Sequence, residues 1–191
     1  MCNAFNTARQ PADIHHERIP METRLIRRTD LAPVILHTGK IVMMRWGFQR
    51  RGLGPVNNTR SDHLASPMWR EAIAQRRCLI PLVSYYEWTG PVGQKTTHLF
   101  RHPEDRWLKV AGLWENSKEH GPCFSMLTTA ANTVAAPIHH RMPAILGSTD
   151  QARYLDDGLP EFQPSEEPLI SKTTSNPLLK NPPSPIQDEL F

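Results

Sequence analysis

The sequence has no long hydrophobic run, few cysteines and no segment resembling an export signal. No apolar stretch approaches the ~18 residues of a membrane-spanning helix. The N-terminal residues lack the basic start and continuous apolar stretch of a secretory signal, so we expect a cytoplasmic protein with reduced thiols and no membrane partner. The three cysteines, Cys2, Cys78 and Cys123, fit neither a disulfide framework nor a zinc site.

The 191 residues suffice for one domain with its own hydrophobic core, and their charge is unevenly distributed. Residues 1–80 hold 13 of the 22 Lys and Arg side chains but only 6 of the 19 Asp and Glu side chains. Most of this excess is arginine, whose guanidinium group pairs with phosphate in a fixed fork geometry. The basic half therefore predicts either a nucleic-acid-binding surface or an ordinary solvated face.

Short β-rich runs dominate the chain. Residues 34–46 predict a hairpin around Thr38-Gly39, and residues 78–88, 97–101, 107–114 and 124–129 predict an antiparallel meander. One helix is expected from Ser66-Pro67 to Arg77 and a second from Ser148 to Gly158. The segment from Pro160 onward has seven prolines in 32 residues, which predicts an irregular, wrapping or partly disordered tail. We therefore divide the chain into a domain at 2–159 and a Pro-rich segment at 160–191.

Cys2 follows the initiator methionine directly. Removal of Met1 leaves a 1,2-aminothiol, in which amine and thiol are both partly reactive at neutral pH. An aldehyde would form a Schiff base with the amine, and the thiolate would then close a thiazolidine ring. The same group could instead attack an amide with its own amine as base, or Cys2 could be an incidental second residue.

Three polar segments could complete such a site. The stretch Asn57–Asp62 is expected in a loop that presents an amide and a guanidinium, although such stretches are also ordinary turns. Glu87 follows an apolar run and lies among aromatic residues. Such surroundings raise the pKa of a carboxyl group toward neutrality, where it can act as both acid and base. The alternative is that Glu87 is simply exposed at the end of a strand.

The third segment, Ile138–Pro143, contains His139 and His140. A histidine here could protonate a sugar ring oxygen or be a structural, hydrogen-bonded residue. The two rings are expected to point in different directions, so neither a shared metal nor another cofactor is implied. Cys78 and Cys123 are expected to be core thiols.

Taken in order, eight segments of the chain resemble the SOS response-associated peptidase (SRAP) family, from residue 2 to about residue 147. These segments are Met1-Cys2, Arg45-Trp46-Gly47, Asn58-Thr59-Arg60, Arg77–Pro81, Tyr86-Glu87-Trp88, Ala111–Glu115, Leu127-Thr128-Thr129 and Ile138–Pro143. The resemblance implies an α+β, β-dominated fold with an antiparallel, barrel-like sheet and a few short helices. It also implies a monomeric sensor that crosslinks through the N-terminal Cys to abasic sites in single-stranded DNA, located in the cytoplasm and nucleoid-associated when bound.

The resemblance implies a role for each matching residue. Cys2 is the nucleophile, Asn58 orients its amine or the opened sugar, Glu87 is the acid/base and His139 assists ring opening. The same four would release Met1 by autopeptidase activity, giving a cysteine-dependent, lyase-like enzyme. The residues expected along the DNA path are Arg45, Trp46, Arg60, Thr128 and Arg141, with the Trp46 ring stacking on a base.

The chain departs from the family pattern at several positions. Ala4 replaces an arginine beside the nucleophile, so DNA affinity is weaker or Arg28 and its neighbour Arg27 substitute. Asp62 is one methylene shorter than the usual glutamate, and His140 replaces a carboxylate beside His139.

Two rival functions use the same residues. One is an N-terminal-cysteine amidase or peptidase without a DNA role, against which the Arg-rich half argues. The other is a non-catalytic single-strand-binding module in which Cys2 is irrelevant. Loss of a covalent DNA product on substitution of Cys2 separates both from the main hypothesis.

Overall fold

A computed structural model describes residues 2–15, 19–50, 53–159 and 161–179. Within these ranges strands dominate and the helices are short, as the sequence predicts. The strands are β1 (Ala4–Ala8), β2 (Thr23–Arg27), β3 (Leu31–Ile35), β4 (Ile41–Trp46), β5 (Phe48–Arg50), β6 (Leu53–Val56), β7 (Asn58–Arg60), β8 (Arg77–Leu82), β9 (Ser84–Thr89), β10 (Thr96–Arg101), β11 (Leu108–Ser117), β12 (Gly121–Ala130), β13 (Arg141–Pro143) and β14 (Ile170–Thr174). The α-helices are α1 (Arg70–Gln75) and α2 (Ser148–Asp156), and the 3₁₀ turns are Pro11–His15 and Ser61–His63.

Five strands close into a barrel. Their order is β11, β8, β3, β4 and β12, and β12 pairs back with β11 to complete the ring. This confirms the expected strand-dominated, barrel-like fold. Most pairings are antiparallel, but β12 runs parallel to both β4 and the short β7. No hairpin connects β12 to either strand, so chain connection does not force them to be antiparallel.

A second sheet has the order β14, β10, β9, β1, β2, with every pairing antiparallel. The single meander expected over residues 78–129 is therefore wrong. Strands β8, β11 and β12 belong to the barrel, whereas β9 and β10 belong to the second sheet. The chain changes sheets at Val83, whose N–H donates to the Asn6 carbonyl at 2.8 Å.

Buried side chains form two hydrophobic clusters. One joins barrel residues such as Met44, Trp46 and Phe124 to Cys2 and Tyr85, which belong to the N-terminal segment and the second sheet. The second cluster, the helix-covered cluster, lies on the opposite face of the barrel strands. There Leu79, Leu113 and Leu127 pack with Ala72 of α1 and Tyr154 of α2. Because neighbouring residues of a strand point to opposite faces, β8, β11 and β12 each contribute buried residues to both clusters. Cys78 and Cys123 are buried free thiols, as predicted.

The local turn predictions are only partly confirmed. The β3–β4 hairpin turns at Gly39, whose φ is +76°, and α2 ends before Gly158, whose φ is +79°. Helix α1 begins at Arg70 rather than after Ser66, which was wrong as its N-cap. Ser66 N–H donates to the His63 carbonyl at 3.1 Å, so this residue belongs to the preceding turn.

Part of the Pro-rich segment packs onto the domain. Strand β14 pairs with β10, and Thr129 Oγ1 donates to the Phe162 carbonyl at 2.7 Å. The boundary at residue 159 remains a prediction, and residues 180–191 lie outside the described part of the chain. In that described part, no helix combines the length and apolar character needed to cross a membrane.

Candidate active site

Cys2 lies at the entrance to β1 and is completely buried. Its Sγ donates to the Ala4 carbonyl at 3.2 Å. Burial raises the pKa of the thiol well above its ordinary range, and the negative charge of Glu87 raises it further. The thiol therefore stays protonated until a base removes its proton, and the nearby carboxylate is the chemically suitable base.

Asn58 is held against Cys2 by the barrel. Its Nδ2 donates to the Cys2 carbonyl at 2.7 Å, while its Oδ1 is buried without a hydrogen-bond partner among the described residues. The residue was expected in a loop, but it begins β7, which pairs with β12. This pairing fixes the backbone and aims the amide at the N-terminal segment, with one acceptor atom left for another group.

Trp46 positions this segment from within the core. Its indole N–H donates to the Asn57 carbonyl at 2.8 Å, and Asn57 Nδ2 donates back to the Trp46 carbonyl at 2.6 Å. The ring packs edge-on against Phe5 and is fully buried. The expectation that Trp46 stacks on a base is corrected here, because a fully buried ring presents no face to DNA.

Glu87 lies on β9 and is only 3% exposed. Strand alternation turns Tyr85 and Glu87 toward one face, and both side chains are buried. Desolvation raises the pKa of Glu87 to about 7, with the charge of the amino terminus acting in the opposite direction. At neutral pH such a carboxyl group is present in both forms, so it can accept a proton in one step and donate one in another.

His139 lies in the segment between β12 and β13. His139 Nδ1 lies 3.0 Å from both the backbone nitrogen and the carbonyl oxygen of Arg141, so these contacts hold the ring in place with either tautomer. Burial lowers the pKa of His139, and the positive charge of the amino terminus lowers it further. The lowered pKa favours the neutral imidazole at neutral pH. The charge of the amino terminus acts on the pKa of both His139 and Glu87.

The rings of His139 and His140 stack with centroids 4.5 Å apart, so the expectation that they point in different directions is wrong. The segment is neither strand nor helix, and the alternation that separates neighbouring side chains does not apply. Among the described residues no group of three or more His, Cys, Asp or Glu side chains could hold a metal ion.

A charged cluster lies beside Asn58 where β7, β12 and β13 meet. Asp62 accepts two hydrogen bonds from Arg60, at 3.1 and 2.5 Å, and pairs with Arg141 at 3.2 Å. The Arg141 guanidinium also donates to the carbonyl of Thr128. The Arg60 hydrogen bond holds the pKa of Asp62 well below its usual range. One carboxylate thus neutralises part of the charge of two arginines expected along the DNA path.

The remaining candidates do not join this cluster. Arg45 lies on the face of β4 opposite Trp46 and acts electrostatically on Cys123, in the helix-covered cluster. Arg28 is exposed directly after β2. The sequence did not point to Tyr85 as a member of the site. It also did not show that Asp62 bridges Arg60 and Arg141. Strand alternation with Glu87 could have pointed to Tyr85, while the pairing of Asp62 with Arg141 had no local signal.

The sequence comparison decides the family. A sequence model of the SOS response associated peptidase (SRAP) family matches residues 1–181. The chain belongs to the SRAP family. The match includes the described part of the segment after residue 159 as well as the catalytic candidates of the domain.

Curated relatives of this chain are named for a function. The abasic site processing protein YoqW of Bacillus subtilis is 27% identical in an alignment of 125 residues, and the match covers 59% of this chain and 56% of the relative. The abasic site processing protein YMR114C of Saccharomyces cerevisiae is 27% identical in an alignment of 119 residues, and the match covers 57% of this chain and 32% of the relative. The matched region thus spans about half of one relative and a third of the other.

Solved structures share the fold of this SRAP chain. A protein from Bacteroides thetaiotaomicron superposes with a TM-score of 0.76 at 20% identity, covering 92% of this chain and 93% of that one. A protein from Bordetella bronchiseptica gives a TM-score of 0.71 at 19% identity, covering 90% and 99%. At these identities the likeness establishes the architecture alone.

Proposed function

We propose that this SRAP protein processes abasic sites in single-stranded DNA by bonding covalently through Cys2 after Met1 is removed. The observation that carries the proposal is the convergence of Asn58 and Glu87 on Cys2. The amide binds the Cys2 carbonyl at 2.7 Å, and the carboxylate acts electrostatically on the thiol. Family membership and the relatives' names as abasic site processing proteins support abasic sites as the substrate.

The chemistry joins one aldehyde carbon to two atoms of Cys2. The α-amine adds to the aldehyde of the opened sugar, and the protonated Glu87 carboxyl group gives its proton to the departing hydroxyl group, so that water leaves and an iminium ion remains. The thiol then transfers its proton to the Glu87 carboxylate as sulfur bonds to the iminium carbon, whose π electrons return to nitrogen. The products are a thiazolidine and one water. The Oδ1 of Asn58 suits the amine as an acceptor, and His139 supplies a neutral imidazole for proton transfer at the sugar oxygen.

Release of Met1 is the second activity of this proposal. The same thiol, carboxyl and imidazole groups would cleave the peptide bond before Cys2. An uncleaved chain has no free amine at Cys2 and therefore cannot form the imine. Intact mass of the purified protein measures this removal directly, so every crosslinking assay begins from a chain of known N-terminus.

The DNA path of this proposal runs past Arg60 and Arg141, with Thr128 between them, and excludes Trp46. Asp62 competes with phosphate for both guanidinium groups. Arg45 and Arg28 lie apart from this cluster and contribute at most to a distant stretch of the strand.

Asp62→Asn is expected to strengthen binding to intact single-stranded DNA several-fold. Removing the carboxylate releases two guanidinium groups for phosphate and steepens the salt dependence of binding, by about 0.7 in logarithmic slope per added contact. Fluorescence anisotropy at several salt concentrations measures both. Asp105→Asn is the matched control, since Asp105 pairs with Arg101 elsewhere and its loss changes net charge equally. Equal affinities of the two variants would remove the arginine cluster from the DNA path.

The proposal is tested with a single-stranded oligonucleotide carrying one abasic site. Protein shown by intact mass to lack Met1 is incubated with it, and products are resolved under denaturing conditions. A crosslink is expected, whereas none is expected with an intact oligonucleotide or with an abasic aldehyde blocked by methoxyamine. Absence of the crosslink from the Met1-free wild type would overturn the proposal.

A further inference from the structure

The side chain of Tyr85 is a buried polar group that the proposed chemistry leaves unused. It is completely buried and stacks on Phe100 with ring centroids 4.8 Å apart. Its hydroxyl oxygen has no hydrogen-bond partner among the described residues. Burying an unpaired hydroxyl costs free energy, and phenylalanine would fill the same space without that cost.

The surroundings of this hydroxyl are those of the reaction site. Tyr85 on β9 pairs with Phe5 on β1, and Phe5 lies three residues after Cys2 in the chain. Cys2 and Tyr85 also belong to the same buried cluster. Strand alternation places Tyr85 on the same face of β9 as Glu87. The titratable groups that act on Tyr85 are Cys2 and Glu87, and their negative charges add to burial in raising its pKa well above its ordinary value. Tyr85 thus remains a neutral phenol with a proton to donate.

We propose that the Tyr85 hydroxyl donates a hydrogen bond to the Cys2 sulfur as the thiol loses its proton, and so assists closure of the thiazolidine ring. The inference rests on the proposed function, since ring closure is the step it serves. Proton transfer from the thiol to Glu87 leaves negative charge on a sulfur that is shielded from water. A donor already in place stabilises that charge, whereas in the resting thiol the sulfur donates to Ala4 and the phenol stays unpaired.

Tyr85→Phe removes only the hydroxyl group. Formation of the crosslink with abasic single-stranded DNA is expected to slow about tenfold, as for loss of one hydrogen bond to a developing charge. Thermal unfolding should show Tm unchanged or raised, because an unpaired buried group is lost. The matched control is Tyr154→Phe, since the Tyr154 hydroxyl is equally buried but donates to the Gly112 carbonyl at 2.8 Å. That variant should have a lower Tm and the wild-type crosslinking rate.

A second readout separates this inference from the proposed function. Alkylation of Cys2 by iodoacetamide reports the thiolate without DNA, and peptide mass spectrometry counts Cys2 apart from the other two cysteines. Across a pH series the apparent pKa of Cys2 is expected to be higher in Tyr85→Phe than in wild type or Tyr154→Phe. Identical alkylation profiles of Tyr85→Phe and wild type would overturn the role of Tyr85. A shifted profile in a protein that forms no DNA crosslink would instead retain that role and refute the proposed function.

Discussion

Replacement of Cys2 by alanine is expected to abolish the stable crosslink to abasic-site DNA. Without sulfur the reaction stops at the imine, which water reverses. Because the variant lacks the thiol proposed to release Met1, Met1 is removed with a methionine aminopeptidase and its loss is checked by intact mass. The freed amine of the variant should then still form an imine adduct that borohydride traps. The expected pattern is therefore no denaturation-resistant product without reductant and a clear one with it. This pattern distinguishes loss of ring closure from loss of DNA binding.

The control for this experiment is Cys78→Ala. Cys78 is as deeply buried as Cys2, and burial likewise raises its pKa. It lies in a barrel strand and has no place in the proposed reaction. Crosslinking should continue in Cys78→Ala, although the small cavity lowers Tm. A stable product from Cys2→Ala without reductant would rule out the thiazolidine.

Glu87→Gln is expected to slow crosslink formation about a hundredfold or more, the range typical for loss of a general acid/base. Glutamine keeps the shape of the side chain but cannot take the thiol proton. Glu115→Gln is the matched control because its partly buried carboxylate pairs with Arg50 at 2.6 Å in another part of the barrel. That variant should lose stability but crosslink at the wild-type rate. Equal rates for Glu87→Gln and wild type would show that another group takes the proton.

The raised pKa of Glu87, about 7, also predicts a pH profile. Ring closure needs Glu87 as the carboxylate, so this step slows below pH 7. Loss of water from the first adduct needs Glu87 in its protonated form, so that step slows above pH 7. Wild type should therefore show an optimum near pH 7. Rates of Glu87→Gln should lack this dependence. Crosslinking time courses from pH 5 to pH 9 measure it.

The same carboxyl group affects stability. Its pKa is higher in the folded protein than the value of about 4.3 expected when unfolded, so the folded state binds the extra proton between these values. The stability that Glu87 contributes is present below about pH 4.3 and is lost as the pH rises to about 7, by up to ~4 kcal/mol. Glutamine does not titrate, so the Glu87→Gln variant does not lose stability as the pH rises through this range. Its Tm relative to wild type should rise from pH 4.5 to pH 7 and stay level above, measured by thermal unfolding.

Several features followed from local pattern alone. Short β-rich runs predicted β3, β4, β10, β11 and β12 and a single run where β8 and β9 lie. Gly39 and Gly158 marked a turn and a helix end where positive φ was required. The sequence also singled out Cys2, Asn58, Glu87 and His139, because ordered motifs carry the family resemblance. These signals lie in neighbouring residues, so no long-range information was needed to read them.

Other features depended on partners distant in the chain. A single β-rich run at residues 78–88 says nothing of the change of sheet at Val83, which a hydrogen bond to Asn6 accompanies. Trp46 looked available for stacking until its ring was found between Phe5 and Phe124. Likewise, Asp62 neutralises Arg141 across 79 residues of sequence, which no local motif could indicate.

The sequence by itself determined which chemical groups the protein has: a thiol at the second residue, an amide, a carboxyl group among aromatic residues and an imidazole. Only the tertiary structure decided their states. Burial raised the pKa values of Cys2 and Glu87, pairing of β7 with β12 aimed Asn58 at Cys2, and strand β9 brought an unpaired phenol to the same place. The physical reason is that desolvation and hydrogen bonding depend on three-dimensional surroundings, whereas residue identity and spacing depend on the chain alone.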